Sequence, residues 1–134
     1  MHEYPGRSGA VKDGPDMGLA RIGRAIGYAL EGLRAAWRSE AAFRQEAIGA
    51  MVFVPLAFLI PVPLPLRAAL AASVLFVLLV ELLNSAIEAA IDRISTERHP
   101  LSKRSKDAGS AAVFVAIAIA AITWAAIVGG WLLS

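Results

Sequence analysis

Residues 68–92 read AALAASVLFVLLVELLNSAIEAAID. The first thirteen of these residues carry no charge and no strongly polar group. The rest alternate apolar residues with Glu81, Asn84, Ser85, Glu88 and Asp92. Those five positions differ from the first by 3, 4, 7 and 11, and at 3.6 residues per turn they share one helix face. The stretch is long enough to cross a bilayer, which takes about 20 apolar residues as a helix. It therefore reads as a membrane span with one polar face. A carboxylate in a span costs several kcal/mol, on the order of 3, unless it is paired, hydrated or protonated. Two of them on one face with an asparagine point to a chemical or ion-handling task. The plainer alternative is a polar stripe that holds helices together.

Two further blocks support a membrane reading. Residues 47–66 and 108–134 hold no charged residue. The chain has 134 residues, 57% of them hydrophobic, and a mean hydropathy of +0.62. A chain this short has too little interior to bury that excess. Spans are expected at about 43–60, 67–91 and 108–133. The run PVPLPLR (61–67) has three prolines in five residues and reads as a turn. The segment DRISTERHPLSKRSKD (92–107) reads as a charged loop, and Pro55 is a candidate kink in the first span.

Upstream, Leu19, Ile22, Ile26, Leu30, Leu33 and Trp37 recur every three or four residues. This is the apolar stripe of an amphipathic helix. With Arg21, Arg24, Arg34 and Arg38 around it, a helix over about 17–38 fits the membrane interface. Residues 1–16 hold two prolines and three glycines without periodicity and read as a disordered polar tail. They lack the apolar core of a secretory signal. The rest, 17–134, reads as one all-α integral-membrane domain. No internal repeat is visible.

Charge sets the expected topology. The 92–107 segment carries Arg93, Arg98, Lys103, Arg104 and Lys106, and the N-terminal region carries seven more basic residues up to Arg44. The 61–67 turn has only Arg67. The positive-inside rule puts the N-terminus and the 92–107 segment in the cytoplasm. The pI near 9.4 follows from residues flanking apolar spans and does not call for nucleic acid. With no cysteine, the chain has no disulfide, thiolate nucleophile or zinc–sulfur site.

Depth then separates the polar residues. At roughly 1.5 Å per residue, Glu88 lies about 6 Å and Glu81 about 16 Å deeper than Asp92. Glu88 is placed to meet water and a metal, and Glu81 to meet the hydroxyl of a lipid. A desolvated carboxylate takes up a proton readily, which suits a general base. Phosphoryl transfer needs positioning and charge neutralisation, commonly through Mg²⁺ on carboxylate oxygens. Glu40, just before the first span, falls at the same expected depth as Glu88 and is a candidate second ligand. Lys106 and Asp107 enter the third span at that level. There is no G-x-x-x-x-G-K-[ST] loop and no protein-kinase signature. His2 and His99 lie in the tail and the charged segment, and no Ser–His–Asp grouping is plausible. The residues by themselves reach a polar catalytic or ion-handling face in a small helical membrane protein.

Three segments carry a resemblance: GLRAAWRSEAAFRQE (32–46), ELLNSAIEAAIDR (81–93) and LSKRSKDAGSAAV (101–113). On these motifs the chain resembles the prokaryotic diacylglycerol kinases over roughly residues 18–133. The resemblance implies a homotrimer of three-span subunits, each with an interfacial N-terminal helix. It implies transfer of the γ-phosphate of MgATP to diacylglycerol, giving phosphatidic acid at the cytoplasmic face of the bacterial inner membrane. It matches Glu81 to the general base, Asn84 to the asparagine beside it, and Glu40 and Glu88 to the metal ligands. Nucleotide contacts fall on Arg21, Tyr28, Glu97, His99, Lys106 and Asp107. Lipid-side contacts fall on Arg34, Trp37, Arg44, Glu46 and Ser110. The long tail and the proline-rich turn depart from the family's pattern but touch none of the motif residues.

Three other readings compete. A sister group of the same fold phosphorylates undecaprenol, but its third-span entry typically reads differently from Lys106-Asp107-Ala108-Gly109-Ser110. A proton- or ion-conducting bundle would use Glu81 and Glu88 and leave the arginine-bearing helix and Glu40 without a task. A structural subunit would use the stripe for packing alone.

Overall fold

The computed structural model describes residues 17–134 and contains four helices: α1 (Met17–Ser39), α2 (Ala41–Leu59), α3 (Leu64–Ile94) and α4 (Pro100–Leu132). No strand occurs among the described residues. The tail expected over 1–16 lies outside them. Helices α2, α3 and α4 are long and apolar enough to cross a membrane, as expected. The chain divides into one unit ending at Ala35 and one running from Ala36 to Ser134.

In the first unit, Leu19, Ile22, Ile26, Leu30 and Leu33 are all exposed along α1. The apolar stripe therefore has no cover within its own helix, as an interfacial helix requires.

In the second unit α3 is the middle helix and packs against both α2 and α4. The core near the start of α3 joins Ala57, Ile60, Val62, Leu70 and Ala71 to Val54, Trp124, Ile127 and Val128. Alanines at these contacts let the helices approach closely. Trp124 stands edge-on to Phe53, with ring centroids 5.4 Å apart. Its Nε1 donates to Leu70 O and to Ser73 Oγ, both at 3.2 Å. Ser73 Oγ in turn donates to Leu70 O at 2.7 Å. Buried polar atoms in a lipid setting need such partners, since no water is there to supply them. Large apolar residues on the outer sides, among them Met51, Phe114 and Ile122, stay exposed. This surface suits hydrocarbon or neighbouring helices.

The turns are shorter than the sequence pattern predicts. Helix α3 begins at Leu64, inside the proline run, with a proline in its first turn. The first turn has no use for the missing N–H, and proline's fixed φ favours it. The prolines therefore start α3, where the spacing alone reads as a break. Arg67 closes the turn: its Nε donates to Val62 O at 2.7 Å and its Nη1 to Phe58 O at 3.2 Å. Likewise only residues 95–99 of the expected 92–107 loop are non-helical. Pro100 opens α4, and His99 Nδ1 accepts from Leu101 N at 3.1 Å. Pro55 sits inside an unbroken α2.

Leu70 is fully buried where α2, α3 and α4 meet. Leu70→Ala should lower stability by ~2–4 kcal/mol, read as a reduced midpoint in detergent–denaturant unfolding followed by circular dichroism. Leu79→Ala, at an exposed position of the same helix, should change it little.

Candidate active site

The polar face of α3 runs from core to surface. Glu81 and Asn84 are buried, at 4% and 8% exposure. Ser85 and Glu88 are half-buried, and Asp92 is exposed. The stripe read from the sequence is thus graded in burial along its length.

Glu40 reaches this face from a break in the chain. It is the one residue between α1 and α2, in extended conformation at φ −118° and ψ 107°. Its N donates to Ala36 O at 2.9 Å, and its O accepts from Arg44 N at 3.1 Å. It thereby closes the last bonds of one helix and opens the next. Arg44 holds the break: its Nη1 donates to Trp37 O at 2.8 Å and to Arg38 O at 3.3 Å. These are orphan carbonyls at a helix C-terminus, where a cation fits both the hydrogen bonds and the helix dipole.

The carboxylates act on one another. Glu40 and Glu88 are close enough to repel the charge of Glu81, and Glu81 does the same to Glu46. Four acids from the start of α2 and from α3 thus share one electrostatic neighbourhood. Three enclosed atoms here have no hydrogen-bond partner: Glu46 Oε2, Asn84 Oδ1 and Ser85 Oγ. Enclosed polar atoms without partners are rare and mark places where something else binds or acts. Among the described residues, no three His, Asp or Glu side chains form a metal cage by themselves.

Beyond Glu88 lies an open cavity of about 680 Å³ between the end of α3 and the start of α4. Asp92, Glu97, His99, Lys103, Lys106 and Asp107 line it. Lys106 Nζ pairs with Asp92 Oδ1 at 2.7 Å, and Lys103 pairs with Asp107 one turn on. Exposed pairs of this kind are weak in water, so neither lysine is held firmly by its partner.

Of the residues expected at a site, Glu81, Asn84 and Glu88 share one face of α3, and Glu40 and Glu46 stand at the break before α2 and within its second turn, near enough to Glu81 for their charges to interact. Glu97, His99, Lys106 and Asp107 come together around the cavity. Arg44 is half-buried and engaged with the end of α1, and Trp37 is one of the residues it holds. Ser110 is exposed on α4. Arg21, Tyr28 and Arg34 belong to the unit ending at Ala35 and are placed on α1 alone. Three contributors were not legible as such: Asp92 as partner of Lys106, Lys103 as a cavity cation, and Gly109 against Asn84. Asp92 had a signal, its place on the stripe. The other two depend on how α3 and α4 meet.

Comparison with known proteins decides the family. The pattern of the prokaryotic diacylglycerol kinase family matches residues 27–128. The chain belongs to the prokaryotic diacylglycerol kinase family. It is 56% identical to a diacylglycerol kinase of Pseudomonas aeruginosa over 113 residues, which is 84% of this chain and 92% of that one. It is 53% identical to the diacylglycerol kinase of Escherichia coli K12 over 107 residues, 80% and 88% of the two chains. A Haemophilus influenzae diacylglycerol kinase is 44% identical over 110 residues, 82% and 93% of the two. Members of this family are lipid kinases, in keeping with the resemblance read from the motifs. With three spans, this diacylglycerol kinase family member is a multi-pass bacterial membrane protein.

His99 shapes the cavity by capping α4. His99→Ala should cost about 1 kcal/mol of stability and loosen the cavity wall, whereas His99→Asn should keep the cap. Amide hydrogen exchange at Leu101 and Ser102 distinguishes the two.

Proposed function

We propose that the chain catalyses ATP-dependent phosphorylation of diacylglycerol to phosphatidic acid at the cytoplasmic surface of the bacterial inner membrane, with Glu81 as general base. The observation that carries this reading is the buried Glu81 on the polar face of α3, one turn from a buried Asn84 whose enclosed Oδ1 has no hydrogen-bond partner. The relatives' shared name supports the substrate, and favours diacylglycerol over undecaprenol.

The step needs little covalent chemistry from the protein. The free hydroxyl of diacylglycerol gives its proton to a carboxylate oxygen of Glu81. The hydroxyl oxygen forms a bond to the γ-phosphorus of ATP. The bond from that phosphorus to the β–γ bridging oxygen breaks, and ADP leaves with its electron pair. Asn84, one turn along α3 from both Glu81 and Glu88, orients the reacting groups. Lys106 exchanges Asp92 for phosphate oxygens, while Asp107, Glu97 and His99 frame the nucleotide; Arg21 and Tyr28 of α1 are assigned to the nucleotide on the family resemblance alone. Arg34, Trp37, Arg44, Glu46 and Ser110 serve the lipid side.

Glu40 and Glu88 are the residues that would hold Mg²⁺, and the donor set fits it. Both offer hard oxygen ligands, their neighbourhood carries excess negative charge, and Mg²⁺ takes one or two carboxylates and fills its other positions with phosphate and water. When bound, the ion neutralises charge on the β- and γ-phosphates. The active assembly is a homotrimer in this reading. The exposed apolar sides of all three spans and the one-sided polar stripe support an assembly in which neighbouring subunits close the site.

Purified protein in mixed micelles with γ-labelled ATP and Mg²⁺ should label phosphatidic acid when diacylglycerol is supplied. Glu81→Gln should reduce that by ~10²–10⁴-fold with the oligomer intact. Label passing mainly to undecaprenyl phosphate would overturn the substrate, and no lipid labelling would overturn the kinase reading. Ion flux in liposomes without ATP turnover would instead favour a conducting bundle.

Glu40→Gln and Glu88→Gln should each raise the Mg²⁺ needed for half-maximal rate by on the order of 10-fold or more. A Mg²⁺ titration that leaves this value unchanged in both variants would remove them as ligands.

A further inference from the structure

Gly109 is buried on α4 and lies directly against the side chain of Asn84. A Cβ built on Gly109 would overlap Asn84 Oδ1 and stand 3.3 Å from Asn84 Cγ. The other described glycines, from Gly18 through Gly49 and on to Gly129 and Gly130, have open space where a Cβ would go. Only at Gly109 among them does the missing side chain make room for a neighbour.

The neighbour is the asparagine of the polar stripe. Asn84 is 8% exposed, so it has little space into which to swing. Its Oδ1 is enclosed and has no hydrogen-bond donor. The hydrogen that replaces a Cβ on Gly109 points at that oxygen. A Cα–H···O contact of this kind recurs between packed helices. It gives the oxygen a weak, well-placed partner and favours one orientation of the amide.

We propose that Gly109 is a positioning residue for phosphoryl transfer, its bare backbone on α4 lodging the Asn84 carboxamide so that the amide is fixed on the α3 face between Glu81 and Glu88. This rests on the reading of Asn84 as part of the reacting site. Gly109 offers no side chain to a substrate and acts through Asn84. It also explains why the α4 entry tolerates glycine in a helix interior, where alanine forms helix better.

The consequence is steric. A methyl group at position 109 pushes the amide by on the order of 1 Å, and a shift of that size at a reacting centre costs up to about 100-fold in rate. Nucleotide affinity is held elsewhere, by the cavity around Lys106, and should be spared.

The test uses the full chain in mixed micelles with diacylglycerol and MgATP. Gly109→Ala should lower kcat by on the order of 10- to 100-fold, with the KM for ATP within about two-fold of the parent. Gly129→Ala, on the same helix with open space, should be unchanged. The steric route is checked by Asn84→Ser, which shortens the side chain and removes the overlap. In that background Gly109→Ala should cost less than about two-fold. Full activity in Gly109→Ala would overturn the proposal, and so would an equal loss in both backgrounds, which would mark Gly109 as a packing residue only. If Gly109→Ala does not assemble, the double variant with Asn84→Ser should, and its failure to do so would overturn the proposal. Full activity in Asn84→Ser would remove Asn84 from the site and the proposal with it. Absence of lipid labelling in the parent protein would instead sink the kinase reading itself.

Discussion

A carboxylate in the apolar depth of a membrane must be paired, hydrated or neutralised, and α3 carries two on the face that also bears Asn84 and Ser85. Most of the arrangement around that helix answers this constraint. Helix α3 lies between α2 and α4, so its polar face has neighbours along part of its length. Burial falls steadily along the stripe from Glu81 to Asp92. Charge is therefore admitted gradually, with the end of the stripe reaching an ion pair to Lys106. Glu40 and Glu88 add negative charge near Glu81, so this face favours a proton or a cation over a further anion.

The two ends of the span bundle are built differently, and the chemistry of each follows. Near the start of α3 the helices meet through Ala57, Ala71, Leu70 and Trp124 with hardly a charge between them. Their few polar atoms are closed on each other by Trp124 Nε1, Ser73 Oγ and Leu70 O, and Arg67 ties off the turn. That end is closed by packing and internal hydrogen bonds. The other end leaves Glu46 Oε2, Asn84 Oδ1 and Ser85 Oγ without partners and opens into the cavity between α3 and α4. Among the described residues, the buried side-chain atoms left without partners therefore gather at the end that carries the polar stripe.

Helix termini supply much of the site. Glu40 owes its reach to being the single extended residue between two helices, and Arg44 keeps that break in place through the carbonyls of Trp37 and Arg38. His99 and Pro100 do the corresponding work at the start of α4, which lets Lys103, Lys106 and Asp107 project from a helix instead of a loop. Helical spacing pairs Lys103 with Asp107 and holds Lys106 toward Asp92. The lysines are thus presented at fixed positions, which a polyanion can meet with less ordering cost than a flexible charged loop would impose.

The sequence by itself determined the three spans, the amphipathic helix before them and the polar stripe of α3, because hydropathy and helical period act within one segment and need no partner. It also determined the family, through motifs in which residue type and spacing are both constrained. Its local signals erred where context reverses their meaning. The prolines of 61–67 and Pro100 are breakers in isolation, yet in a first helical turn they are starters, and only the fold says on which side of a boundary they fall. Expected depth and the family motifs could group Glu40, Glu81 and Glu88, but only the tertiary structure decided which side chains of separate segments meet. Glu40 with Glu81, Lys106 with Asp92, and Gly109 with Asn84 are far apart along the chain, and their approach depends on the packing of α3 against its neighbours, which no spacing within a single helix encodes.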